Sequence, residues 1–179
     1  ENVMDVIHAA YSEEFANFVD ADFLFGKHAG AMKAAGLEWS DRFSMFPEEF
    51  FPSNWAHKIP GVKQSERSFI TGGNKQRMDA WRGTINGWLP KELRGQSFET
   101  LEELSAATGH AVEDFKRLAN YYNAATGKGN VPEAMKAAMP WFNAQFFAPR
   151  NTLSLFQVPY YSVRYLATPG VRSVIASDI

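Results

Sequence analysis

Residues 100–127, TLEELSAATGHAVEDFKRLANYYNAATG, decide the fold because they carry the signals of two complete helices joined by a tight corner. Thr100 is a good N-cap, and Glu103 stands three residues later, where its carboxylate can reach back to the Thr100 amide. This pattern predicts a capping box. Gly109 follows the last turn of the first helix, and glycine readily adopts the left-handed conformation that ends many helices. Gly127 ends the second helix in the same way.

Apolar side chains in this pair repeat with helical spacing. In the first helix, Leu101 and Leu104 share one face. In the second helix, the apolar positions are Val112, Phe115, Leu118 and Tyr122. Each helix is therefore predicted to bury one face and to expose charged residues on the other.

The regions before this pair predict further helices. Apolar stripes over residues 1–19 and 22–35 predict two N-terminal helices, the second ended by Gly36. Residues 61–73 are polar and are predicted to be exposed. Residues 74–82 favour a short helix, which Gly83 and Gly87 are expected to break.

Short strands are predicted near the C-terminus. Pro132 is expected to open a helix that ends at Met139. Residues 160–166 alternate between apolar and polar side chains, which predicts a strand. Pro169-Gly170 then favours a turn before a second strand at 171–175. We therefore expect residues 1–179 to form one α+β domain, mainly helical, with a few short C-terminal strands over residues 160–175.

Residues 37–60 form an irregular segment rich in aromatic residues. Helical and strand periodicity both fail there, while Trp39, Trp55 and other large apolar residues stand among prolines. A loop this long and this apolar is typical of a lid, a binding wall or a partner contact. An ordered loop that fills the near side of the core explains the same composition.

Composition limits the classes of function. Hydrophobic residues make up 45% and aromatic residues 15% of the sequence, so a packed core is expected rather than disorder. Cysteine is absent, which excludes disulfides, thiolate metal sites and cysteine nucleophiles within this sequence. A net charge of −2 gives no reason to expect nucleic acid. No apolar run reaches the ~20 residues of a membrane span, so we expect a soluble protein, either cytoplasmic or periplasmic.

The usual catalytic motifs are missing from the sequence. The four histidines are never three to five residues apart, so no local zinc pair is predicted. Gly127-Lys128-Gly129 has the first two glycines of a dinucleotide fingerprint, but Pro132 follows, and the preceding segment is predicted to be a helix rather than a strand. A cradle for a cofactor pyrophosphate is therefore not expected here.

Two blocks of the sequence resemble FAD-dependent flavoproteins of the fumarate reductase, succinate dehydrogenase and ketosteroid dehydrogenase family. The first is the helical pair, which ends in YYNAATGKG. The second is PYYSVRYLATPGV at residues 159–171, which resembles the strand and turn where the cap domain of those enzymes rejoins the FAD domain. The resemblance implies a cap domain with a hinge near residues 160–170. It implies a small-molecule substrate and a separate flavin-binding domain or chain as partners, with FAD held by the parent enzyme and not by this chain alone.

The resemblance also implies where a substrate would bind. The family places histidines, a threonine and a glycine pair after the turn, whereas residues 172–177 here are RSVIAS, which argues against fumarate reduction by the standard arrangement. The candidate substrate-binding residues are Arg172, Ser173, Tyr160 and Tyr161. A guanidinium pairs well with a carboxylate, but an exposed arginine beside a turn and tyrosines in a half-buried strand need no ligand. No motif selects a catalytic residue among Arg67, Arg77 and Arg82.

A hypothesis from another class explains the same composition. The chain would then be a stand-alone helical module that binds a hydrophobic ligand or a protein through the aromatic segment at residues 39–55.

Overall fold

The computed structural model describes Met4 and residues 12–40, 62–128 and 149–178. In these ranges the chain is mainly helical, as predicted, and it contains no strand. The helices are α1 (Glu13–Phe25), α2 (Ala29–Ala34), α3 (Val62–Trp88), α4 (Leu101–Thr108), α5 (Val112–Ala125), α6 (Pro149–Leu166) and α7 (Pro169–Asp178). A short 3-10 helix, Lys91–Leu93, follows α3. No helix in the described ranges is long and apolar enough to cross a membrane.

The predicted helical pair is confirmed as α4 and α5. The Thr100 hydroxyl accepts a bond from the Glu103 amide at 3.2 Å, and the Glu103 carboxylate accepts one from the Thr100 amide at 3.3 Å, so the capping box is complete. Gly109 ends α4 in the left-handed conformation, with φ of 75°. Gly127 likewise has a φ of 80°. These local signals are strong enough to fix both helices.

The prediction of a short helix broken at Gly83 and Gly87 was wrong. α3 is one helix of 27 residues that passes through both glycines. Each glycine costs about 1 kcal/mol relative to alanine in a helix. Burial of one apolar face outweighs that cost. The buried side chains of this face include Met78, Trp81 and Ile85.

The predicted C-terminal strands were also wrong. Residues 160–166 belong to α6, and residues 171–175 belong to α7. The side chains of Ser154, Ser162 and Tyr165 are buried at spacings that fit a helix and not a strand. Pro169 is the first residue of α7 rather than part of a turn. Proline suits this position because the backbone N–H that it lacks would have no partner within the helix.

The N-terminal helices were predicted with different boundaries. Ser12 caps α1 by accepting a bond from the Phe15 amide at 3.1 Å, and the helix runs on past residue 19 to Phe25. A corner at residues 26–28 then leads into α2. Gly36 follows α2 in the left-handed conformation, as expected, with φ of 83°.

Helix α5 lies at the centre of the described structure. It packs against α3, α4, α6 and α7, while α3 packs against α1 on another side. Phe115, Leu118 and Ala119 of α5 are fully buried, and they join Trp81 and Ile85 of α3 in one apolar core. This arrangement places α3 and α7 on neighbouring sides of α5.

Part of the predicted aromatic segment joins this core. Trp39 stacks on Phe23 of α1, with ring centroids 4.2 Å apart. Residues 41–60 of the segment lie outside the described residues, as does the predicted helix from Pro132 to Met139.

Candidate functional site

An open groove of about 370 Å³ lies between α3, α5 and α7. Its size falls in the lower part of the range of small-molecule sites. We call it the α3/α7 groove. Its lining residues are Gly83, Thr84, Gly87 and Trp88 from α3, Tyr122 from α5, and Ser173, Val174 and Ser177 from α7.

Two glycines keep the floor of the groove open. Gly83 and Gly87 are four residues apart and therefore lie on the same face of α3. A Cβ atom added at either position would have no heavy atom within 4 Å. The face of α3 that carries Met78 and Trp81 is buried in the core. Helix α3 thus has one packed face and, at these glycines, one face whose backbone is open to a ligand.

Hydroxyl groups in the groove have defined hydrogen-bond roles. Thr84 donates to the Ala80 carbonyl at 3.1 Å and shares a 2.8 Å hydrogen bond with the Tyr122 hydroxyl. Ser177 donates to the Val174 carbonyl at 2.7 Å. The protons of Thr84 and Ser177 are both used inside their own helices. Their oxygens therefore suit a ligand that donates hydrogen bonds.

Trp88 forms an ordered aromatic wall at the end of the groove. Its indole stacks on the His110 ring with centroids 3.9 Å apart and planes 12° apart. Phe115 contacts it edge to face at 5.6 Å. These two contacts fix the indole, because it is held from two directions.

The groove has polar and apolar lining in about equal parts and carries no formal charge. Its described lining residues include no Asp, Glu, Lys, Arg or His. Elsewhere in the described residues, no cluster of three or more potential metal-ligating side chains is present. The arrangement suits a neutral ligand that combines a flat face with hydrogen-bond donors.

The four substrate-binding residues predicted from the sequence are not brought together. Ser173 lines the groove. Arg172 is exposed, and its Nε donates to the Leu166 carbonyl at the end of α6 at 3.1 Å. Tyr160 is exposed and accepts a bond from Arg164 at 2.6 Å, while Tyr161 stacks on Tyr165 at 5.2 Å.

Two of the three arginines that lacked a motif hold the helices together. Arg77 is 2% exposed and donates to Thr126 at 3.0 Å and to Asn74 at 2.6 Å. Arg82 donates to the Asp22 carboxylate at 2.6 Å and to the Lys27 carbonyl at 2.9 Å. Arg67 lies on α3.

Sequence reasoning missed the groove because it treated Gly83 and Gly87 as helix breakers. A signal was available in the sequence. Apolar residues recur with helical spacing from Ile70 to Leu89, and two glycines four residues apart fall off that stripe, next to Trp88.

Comparison of the chain with protein-family models, with curated proteins and with solved structures finds no match. The groove is therefore interpreted from its own geometry.

Proposed function

We propose that this chain is a helical binding domain, and that the α3/α7 groove holds a small neutral molecule. The observation that carries this proposal is the exposed glycine floor formed by Gly83 and Gly87 beside the fixed Trp88 indole. A flat ring lies close to a helix backbone only where side chains are absent, and glycine provides that approach.

The hydroxyl groups define the polar part of the ligand. Thr84 and Ser177 offer acceptor oxygens, so the ligand presents N–H or O–H groups to them. The absence of charged groups from the described lining favours a neutral ligand over a carboxylate or an amine, because a charge placed there would lack a partner. The proposed binding site is thus the groove, whereas the sequence hypothesis placed it in the aromatic segment at residues 39–55.

The proposal is tested by filling the groove. Benzamide and glucose serve as probes of a flat amide and of a polyhydroxylated ring, and their binding to the wild-type chain is measured by saturation-transfer NMR. Gly87→Leu places a side chain on the groove floor and is expected to abolish the transfer. Gly73→Leu is the matched control, because Gly73 lies on α3, has no neighbour within 4 Å of an added Cβ and does not line the groove.

The control decides how the result is interpreted. Transfer that survives in Gly73→Leu and disappears in Gly87→Leu supports the groove. Equal transfer in both variants, or none to the wild-type chain from either probe, contradicts the proposal.

A second candidate function is the substrate-side cap of an FAD-dependent oxidoreductase that acts on a carbon–carbon bond. The observation that favours it is an exposed apolar face on α6, formed by Phe156 at 74%, Tyr160 at 54% and Val163 at 74% exposure. Their spacing of four and three residues places them on one side of the helix. A face of this kind suits contact with a partner, here a flavin-binding domain or chain.

The finding that weighs against the cap is the helical structure of residues 159–166 and 169–171, where the family resemblance implied a strand and a turn. In this second candidate, FAD belongs to the parent enzyme. The isolated chain is then colourless after incubation with FAD and gel filtration. Flavin absorbance that travels with the chain would contradict that assignment.

A further inference from the structure

The corner between α1 and α2 is tied to a strap formed by residues 96–99, which precedes α4. Three successive strap residues bond to the corner or to the start of α2. The Ser97 hydroxyl accepts from the His28 amide at 3.1 Å, the Phe98 amide donates to His28 Nδ1 at 3.0 Å, and the Glu99 carboxylate accepts from the Gly30 amide at 2.9 Å. A Cβ added to Gly30 would lie 2.4 Å from the Glu99 carbonyl oxygen. The strap thus lies directly against the corner.

His28 is the centre of these contacts. It adopts the left-handed conformation with φ of 61°, which is uncommon for a residue other than glycine. Its side chain is fully buried, stacked on Phe98 with centroids 5.7 Å apart and edge-on to Trp81 at 6.4 Å. A side chain held in this way is positioned by the fold, not by local preference.

The hydrogen bond from Phe98 fixes the protonation state of His28. Because Nδ1 accepts a bond, the ring is neutral and carries its proton on Nε2. Nε2 is buried and finds no hydrogen-bond partner among the described residues. A second proton would have to go to Nδ1, where it would face the Phe98 N–H. Protonation therefore removes the bond that joins the ring to the strap.

The charges around His28 oppose protonation. Burial, together with the cations of Lys27 in the corner and Arg82 on α3, lowers the pKa of His28 from 6.5 to about 4. The Phe98 backbone and the Glu99 carboxylate, both in the strap, act on the pKa in the opposite direction. Arg82 forms an ion pair with Asp22, and this pair keeps the Arg82 guanidinium beside the corner.

We propose that His28 is an acid-sensitive latch whose protonation releases residues 96–99 from the α1/α2 corner while the core around α5 stays folded. The strap is suited to local opening because Gln96, Ser97 and Glu99 are exposed. The N-terminus of α4 stays helical during this opening, because its N-cap Thr100 is bonded to Glu103 within α4 itself.

The sign and size of the effect follow from linkage. The closed strap holds a neutral His28, whereas the open strap leaves an ordinary histidine that binds a proton more readily. Closure is therefore fully favoured above pH 6.5, weakens as the pH falls toward 4, and weakens no further below that. When the pH is lowered from 7.5 to 5, the equilibrium constant for closure of the strap is expected to fall about 30-fold.

Amide hydrogen exchange at Phe98 measures the latch directly, because this amide donates to His28. After correction for the intrinsic pH dependence of exchange, its protection factor in the full chain is expected to fall about 30-fold from pH 7.5 to pH 5. The amide of Leu118, in the buried part of α5, is the internal reference and should keep its protection.

Two variants separate the latch from other acid effects. His28→Asn keeps an acceptor near the position of Nδ1 and tolerates the left-handed conformation, but it does not titrate in this range, so protection of Phe98 should become independent of pH. His110→Asn removes another histidine and should leave the wild-type response unchanged.

Several results would overturn the latch. One is a Phe98 protection factor near one at pH 7.5, and another is a Phe98 protection factor that does not change with pH. The third is an equal loss of protection at Phe98 and Leu118, which indicates ordinary acid unfolding. An NMR titration of the His28 ring in the wild-type chain gives a further test even if His28→Asn fails to fold. A midpoint well below 6.5 supports the latch, and a midpoint near 6.5 refutes it.

Discussion

Replacement of Gly170 by alanine is expected to destabilise the fold, whereas the same change at an ordinary helical glycine is stabilising. Gly170 is the second residue of α7, and a Cβ added there would lie 1.9 Å from Oδ2 of Asp114 on α5. Asp114 is 7% exposed and is held by Arg117 at 2.9 Å, so its carboxylate is not free to move aside. Gly170→Ala must therefore push α7 away from α5 or break the Asp114–Arg117 contact.

The magnitude follows from two opposing effects. Overpacking of this kind costs typically about 1–3 kcal/mol. Alanine recovers about 0.5–1 kcal/mol relative to glycine in a helix. We expect Gly170→Ala to lower the free energy of unfolding by about 1–2 kcal/mol, since the first effect is the larger. Urea unfolding followed by circular dichroism measures this change.

Gly73→Ala is the matched control. Gly73 lies inside α3, where an added Cβ meets no heavy atom within 4 Å, so the same substitution should raise the free energy of unfolding by about 0.5–1 kcal/mol. In the background of Asp114→Ala, Gly170→Ala should lose most of its cost, because the clashing carboxylate is gone. A Gly170→Ala variant as stable as Gly73→Ala would refute the contact between α5 and α7.

Two further predictions concern residues singled out from the sequence. Thr100→Ala should lower the free energy of unfolding by about 1 kcal/mol through loss of the N-cap, whereas Thr100→Asp should be nearly neutral; equal losses in urea unfolding would mean that Thr100 acts through packing. Arg172→Ala should leave ligand binding in the groove unchanged, because its guanidinium bonds the Leu166 carbonyl outside the groove; a weaker affinity in an NMR titration would place Arg172 in the site.

The sequence predicted those elements whose signals are local. Thr100, Glu103 and Gly109 bond within a few residues of one another, so their pattern predicts α4 without knowledge of the rest of the fold. The same local reasoning failed for α3, because the cost of Gly83 and Gly87 is offset by burial of Trp81 against residues far away in the chain.

The C-terminal helices show a second limit of sequence reasoning. Residues 160–166 alternate in polarity as a strand does, yet α6 packs on α5 with helical spacing. Over seven residues the two periods are hard to separate, and contact with α5 and α7 decides between them. The groove was beyond prediction for the same reason, because α3, α5 and α7 meet only in the folded chain.

The indole N–H signal of Trp88 gives the most direct test of the proposal that the α3/α7 groove binds a ligand. In a ¹H–¹⁵N spectrum of the wild-type chain titrated with benzamide and with glucose, we expect at least one probe to shift this signal and the amides of Gly83 and Gly87. The signal of Trp81, which is fully buried in the core, should stay in place. If both probes leave the Trp88 signal unmoved, or shift it equally in Gly87→Leu, the groove does not bind a ligand of this kind.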